Sequence, residues 1–113
     1  MRIKGVNMRN IMLFCAMGLS TRLLVSKMQS EADILGLELR IWAVNQQEYE
    51  NDLALADVCL LGPQVRHKLR EAREKGAKLG ILIDVIDMMD YGSCNGQKVL
   101  NQALKLLDEK DKK

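Results

Sequence analysis

The feature that most constrains this chain is a change of hydrophobic period across one short turn. Asn10 to Cys15 is a short, nearly continuous apolar run, the pattern of a strand covered on both faces in a parallel sheet. From Ser20 the period becomes helical: Leu24, Met28, Ala32 and Leu35 recur at three and four residues, with charged and polar residues mostly off that stripe. Ser20 or Thr21 can cap the start, and Gly36 can take the left-handed conformation that ends the helix. Leu37 to Val44 then alternates, Leu37, Leu39, Ile41 and Ala43 against Glu38, Arg40 and Trp42, as a strand near a sheet edge does. Residues 10–44 therefore read as a βαβ unit, whose crossover helix requires the two strands to be parallel.

The same alternation continues. Residues 45–55 are polar and predict a short helix over one sheet face. Val58-Cys59-Leu60-Leu61 is a buried strand ended by Gly62-Pro63-Gln64, a strand-to-helix turn because proline disfavours a helical residue before it and suits a first helical turn. The helix it opens carries Val65, Leu69 and Ala72 on one side and is expected to stop near Gly76. Gly80 to Asp87 holds a β-branched run for a fourth strand, with Asp84 marking an exposed or edge position. Met88 to Asn95 reads as a loop. A last helix buries Val99, Leu100, Ala103, Leu104 and Leu107. The expectation is an α/β domain: a four-stranded parallel open sheet flanked by helices on both faces.

Length and composition set the outer limits. The chain of 113 residues is long enough for one real core and reads as a single domain, with 1–8 a flexible lead-in and 108–113 a tail that frays into solvent. Apolar residues make up 48%, which excludes a disordered chain. The net charge of +2, from 17 basic and 15 acidic residues spread along the sequence, makes no electrostatic case for nucleic acid. Cys15, Cys59 and Cys94 form neither a CxxC pair nor a metal spacing, and His67 is the one histidine, so no metal site and no cofactor are expected. Such cysteine usage fits a reducing cytoplasm. Arg2, Lys4 and Arg9 before Ile11-Met12-Leu13-Phe14 imitate a signal peptide, but the apolar run is too short for one, and no run is long enough for a membrane span. The chain reads as cytoplasmic, with Met8 as an alternative start.

Chemistry concentrates at Cys15. A strand that ends in cysteine and passes through Gly18, Ser20 and Thr21 into a helix turns its backbone N–H groups toward a point just beyond the sulfur, an arrangement that binds anions. The helix N-terminus also favours the thiolate, so the thiol should ionise more easily. In open α/β sheets, ligands sit beyond the carboxyl ends of the strands where strand order reverses. With the first strand between the second and third, the turns after Cys15 and Leu61 rim that crevice. The plain alternative is one more small buried residue at a strand end.

Low-mass protein phosphatases and arsenate reductases also place a cysteine before an anion-binding turn, with an arginine clamp after five intervening residues. Here five residues separate Cys15 from Thr21, and arginine comes one later, at Arg22. An arginine fork and a general acid accelerate both formation and hydrolysis of a thiophosphate. A loop without the fork holds phosphocysteine longer, which favours a carrier. A small cysteine phosphatase and a non-catalytic anion-binding regulatory domain are the alternatives.

Four stretches in this order resemble one family: Phe14-Cys15-Ala16-Met17-Gly18-Leu19-Ser20-Thr21, Ile41-Trp42-Ala43-Val44, residues 56–66 from Ala56-Asp57 to Val65-Arg66, and residues 84–92 from Asp84-Val85 to Tyr91-Gly92. The chain resembles the lactose/cellobiose-type enzyme IIB component of the bacterial sugar phosphotransferase system. The resemblance implies the architecture of the low-mass tyrosine phosphatases. It also implies that Cys15 takes phosphate from a histidine of a IIA component and gives it to a sugar, such as a β-linked disaccharide, held by a membrane IIC component. Ala16, Met17, Gly18, Leu19, Ser20 and Thr21 match the phosphate-binding loop. Arg22 departs from the family's small residue and reads as a solvated side chain, with added charge beside the phosphate as the other reading. Because two protein partners must dock over one cysteine, the surface around Cys15 should be open.

Other residues carry less. Gly62, Pro63, Gln64 and Tyr91 stand at the predicted rim, as supports of the loop or as partner contacts, although packing is the simpler role for Tyr91. His67 reads as surface, Cys59 as core and Cys94 as an exposed loop residue. The seven methionines read as an adaptable core ahead of a docking face.

Overall fold

A computed structural model describes residues 8–16 and 19–112. Four parallel strands, β1 (Arg9–Phe14), β2 (Leu39–Val44), β3 (Val58–Leu61) and β4 (Leu82–Val85), lie in the order β2-β1-β3-β4. Strand order reverses at β1, with β2 on one side and β3 on the other. Helices cover both faces: α1 (Leu19–Ile34), α2 (Gln46–Asp52), α3 (Leu69–Leu79), α4 (Met88–Gly92) and α5 (Gly96–Asp111).

The two-residue period of β1 divides the core. Ile11 and Leu13 face a cluster built with Leu24, Met28 and Ala32 of α1 and Val99, Leu100 and Ala103 of α5. Met12 and Phe14 face the other way, onto Tyr49 of α2, Leu53 and Ala72 of α3. Phe14 and Tyr49 stack with ring centroids 4.3 Å apart. Cys15, one residue past the strand, keeps the parity of Ile11 and Leu13 and joins the α1/α5 side.

Several expectations are met at particular residues. Gly36 has φ +71 and ends α1. Asn45 begins α2 with a capping box, accepting from the Glu48 backbone while Glu48 accepts from its own. Pro63 stands in the first turn of a 3-10 segment, Pro63–Lys68, that leads into α3. Asp84 lies on the edge strand β4, where its carboxylate accepts from Gln102 at 3.1 Å and pairs with Arg73.

Others are corrected. Leu35 is 53% exposed, because α1 ends at Ile34 and the chain leaves the stripe before reaching it. The third helix runs past Gly76 to Leu79 and is ended by Gly80 at φ +74. Gly76 is small for packing instead: a Cβ there would stand 2.6 Å from the Ile81 carbonyl oxygen. Residues expected as a loop after β4 form the short helix α4, because the Asp87 carboxylate accepts from the Met89 and Asp90 backbone N–H groups. The tail from Asp108 continues helically through Asp111, held by two 3.0 Å hydrogen bonds from the Arg9 guanidinium and by Lys110 donating to the Gly80 carbonyl at 2.9 Å. Cys94 is buried rather than exposed, folded under the α4–α5 junction at φ 52. Among the described residues no helix is long and apolar enough to cross a membrane.

Candidate functional site

Three distant segments meet at the carboxyl end of β1. Cys15 follows Phe14, whose carbonyl accepts from the Gly62 backbone N–H at 2.8 Å, so the turn after β3 lies against the cysteine. The contact is close: a Cβ on Gly62 would stand 3.0 Å from Sγ of Cys15 and 3.2 Å from its Cβ. From α1 comes Thr21, fully buried, and from α4 comes Tyr91, 7% exposed. Their hydroxyls are 2.7 Å apart, although 70 positions separate them in the chain. Both hydroxyls, together with the Gly62 backbone, favour the Cys15 thiolate.

Two expectations about Cys15 change here. The residue is 1% exposed and not open to the surface, since Gly62, Thr21 and Tyr91 close around the sulfur. Its thiol is not acidified: burial, the dominant cause, pushes it up to about 11, and the Gly62, Thr21 and Tyr91 hydrogen bonds pull it back only in part. Burial also raises Tyr91, with the neighbouring sulfur adding to the effect, so its phenol stays protonated and remains a donor.

The remaining candidates fall as follows. Ala16 is exposed beside the cysteine, Leu19 and Ser20 open α1, and Met17 and Gly18 lie outside the described residues. The helix therefore begins before both expected capping residues, and the Thr21 hydroxyl turns to Tyr91 instead. Arg22 is exposed. Pro63 is buried and Gln64 exposed. A groove of about 610 Å³ between α4 and the 3-10 segment is lined by Pro63, Gln64, Arg66, His67, Met88 and Tyr91. His67 is exposed there, as expected of a surface residue. Cys59 is core at 0% exposure. Met88 and Met89 are 61% and 81% exposed, unlike the buried Met12 and Met28. The meeting of Thr21 and Tyr91 beside Cys15 has no signal in the sequence beyond a hydroxyl in each segment.

Fold and site together define a parallel α/β protein with a cysteine at its topological switch point, enclosed by hydroxyls and a glycine backbone. The family model "PTS system, Lactose/Cellobiose specific IIB subunit" matches residues 10–102. The oligo-β-mannoside-specific EIIB component of Bacillus subtilis is 42% identical over 100 residues, covering 88% of this chain and 97% of that one. The galactose-specific EIIB component of Lactococcus lactis subsp. cremoris is 44% identical over 103 residues, covering 87% and 95%. Among solved structures, the cellobiose-specific IIB component of Borrelia burgdorferi superposes with a TM-score of 0.77 at 33% identity, covering 94% of this chain and 97% of that one. The lactose-specific IIB domain of Streptococcus pneumoniae gives 0.80 at 20% identity, covering 88% and 98%, which bears on the fold. The chain belongs to the lactose/cellobiose-specific IIB family of the sugar phosphotransferase system. It is a phosphotransferase of sugar uptake, and components of this kind work with IIA and IIC components.

Proposed function

We propose that Cys15 is the phosphorylated residue, and that residues 1–113 act as one cytoplasmic phosphocarrier domain. A phosphohistidine of the IIA component donates the phosphoryl group. The S–P bond forms as the N–P bond breaks, the electron pair stays on the imidazole nitrogen, and the thiol proton is lost. A hydroxyl of a sugar held by the membrane IIC component then attacks phosphorus and gives up its proton, as the S–P bond breaks and its electron pair leaves with the sulfur. Amides of the 16–21 loop stabilise the equatorial oxygens in both steps. A β-linked disaccharide or short oligosaccharide fits the β-mannoside and cellobiose specificities in the names of similar proteins.

The observation that carries this reading is the position of Cys15 at the carboxyl end of β1, where strand order reverses, with Gly62, Thr21 and Tyr91 converging on its sulfur. The place of the phosphatase arginine is taken by Thr21, buried and bonded to Tyr91, which favours holding a phosphoryl group over hydrolysing it. The groove beside Tyr91 and the exposed Met88 and Met89 offer an adaptable surface to partner proteins. Incubation with phosphoenolpyruvate, the general phosphotransfer proteins and a IIA component, followed by mass analysis of peptides, should place the label on Cys15. Label on His67, or on no residue, would refute the assignment.

A further inference from the structure

We infer that the Tyr91 hydroxyl, backed by Thr21, is a catalytic donor that stabilises the Cys15 sulfur as an anion during phosphoryl transfer. The inference rests on the reading of Cys15 as the phosphorylated residue. Two buried hydroxyls stand 2.7 Å from each other, Tyr91 in the same core cluster as Cys15, and both favour the thiolate. When Cys15 loses its proton, two hydrogens remain, one on each oxygen: one lies between the two oxygens and the other is free to point at the sulfur. A phenol is the more acidic hydroxyl and the better terminal donor, so Tyr91 points at the sulfur and Thr21 donates into the phenol oxygen. Such a chain polarises in one direction, which strengthens the bond to the thiolate in a buried site.

The support of Tyr91 is built for this placement. Asp87 caps α4 at its start, Ser93 Oγ donates to the Met89 carbonyl at 2.8 Å, and the Asn95 N–H donates to the Asp90 carbonyl at 2.8 Å. This five-residue helix is thus pinned at both ends, while the Tyr91 ring is packed in the α1/α5 core cluster. Other titratable groups near the pair are the thiols of Cys59 on β3 and Cys94 after α4, and the side chains of Arg66 and His67 lining the groove. In the transfer step the Cys15 proton passes to solvent, sulfur bonds to phosphorus, and the donor imidazole keeps the electron pair of the broken N–P bond. Tyr91 keeps its own proton throughout and serves only as a hydrogen-bond donor.

Tyr91→Phe removes the hydroxyl and keeps the ring. The measurement is the pH dependence of iodoacetamide alkylation, followed by mass on the Cys15 peptide, beside the rate of phosphorylation by phosphorylated IIA. The expected result is a thiol midpoint above that of the parent, with alkylation at pH 8 and phosphorylation each about tenfold slower, the scale of one lost hydrogen bond to a charged group. Thr21→Val should move both in the same direction by less. As a check independent of the folding of these variants, 3-fluorotyrosine introduced at position 91 in a Tyr49→Phe background makes the phenol a stronger donor and should lower the midpoint. An unchanged alkylation profile in Tyr91→Phe, or no movement with fluorotyrosine, would overturn the inference. Label on Cys15 at equal rates in parent and Tyr91→Phe would overturn this inference alone, whereas absence of label from Cys15 in the parent would overturn the carrier reading on which it rests.

Discussion

Gly62 and Cys15 are in contact across the two turns of the switch point, with room for a hydrogen and not for a methyl group. A Cβ on Gly62 would stand 3.0 Å from Sγ of Cys15 and also 3.0 Å from Oε1 of Gln64. The backbone there is ordinary, with φ −64, so alanine meets no conformational penalty. The effect of Gly62→Ala should therefore be steric and local: unfolding temperature little changed, and the rate of Cys15 phosphorylation down by about tenfold or more as the sulfur is pushed from its donors. Parallel thermal melts and IIA-dependent labelling would check this; a normal rate would show that the cysteine tolerates displacement.

Cys59 gives a prediction in pH. Burial, aided by the Cys15 charge, pushes its thiol up to about 12 from an ordinary value of 9.0. The folded protein thus keeps a proton that the unfolded chain releases first. Stability is unaffected by this group below about pH 9 and falls as pH rises from there toward 12. Cys59→Ala should be less stable than the parent at neutral pH by about 1 kcal/mol, from lost packing in the core. The difference should shrink in urea titrations carried out from pH 9 to 11, and parallel curves would contradict the assignment.

Gly76 sets helix propensity against packing. Alanine is worth about 1 kcal/mol more than glycine inside a helix. Its Cβ would, however, meet the Ile81 carbonyl oxygen at 2.6 Å and Ile83 Cδ1 at 2.8 Å, and the first of these is backbone that cannot turn aside. Overpacking of this kind costs about 1–3 kcal/mol, so Gly76→Ala should destabilise α3 against β4. An increase in denaturation midpoint would show that propensity wins.

Tyr49 offers the opposite case. Its ring is 2% exposed and stacked on Phe14, with Lys75 Nζ 5.5 Å from the ring centre, while its hydroxyl is buried without a hydrogen-bond partner among the described residues. Removing an unsatisfied buried hydroxyl while keeping the ring should be neutral or stabilising, by about 1 kcal/mol. Calorimetry of Tyr49→Phe tests this, and a clear loss of stability would reveal a partner for that oxygen.

Much of the architecture is legible in the chain because it depends on neighbours a few positions away. The apolar run before Cys15, the three-and-four spacing of Leu24, Met28 and Ala32, the left-handed Gly36 and the Gly62-Pro63 turn each encode local geometry, and parallel crossovers leave few ways to assemble them. Local signals failed where a partner from elsewhere changes the outcome. Gly76 reads as a helix stop until Ile81 and Ile83 are seen against it. The end of α5 reads as a fraying tail until Arg9 is seen on Asp111.

The same division runs through the site. The sequence alone determined that a cysteine closes the central strand of a parallel sheet and runs through Gly, Ser and Thr into a helix, because strand period, turn chemistry and helix period are all short-range. Only the tertiary structure decided what surrounds the sulfur. Thr21 and Tyr91 come within 2.7 Å of each other over 70 positions of chain, and that meeting depends on where α4 packs beyond β4. Burial there overrides the acidifying helix terminus and sets the thiol at about 11, a balance between desolvation and hydrogen bonding that no run of neighbouring residues encodes.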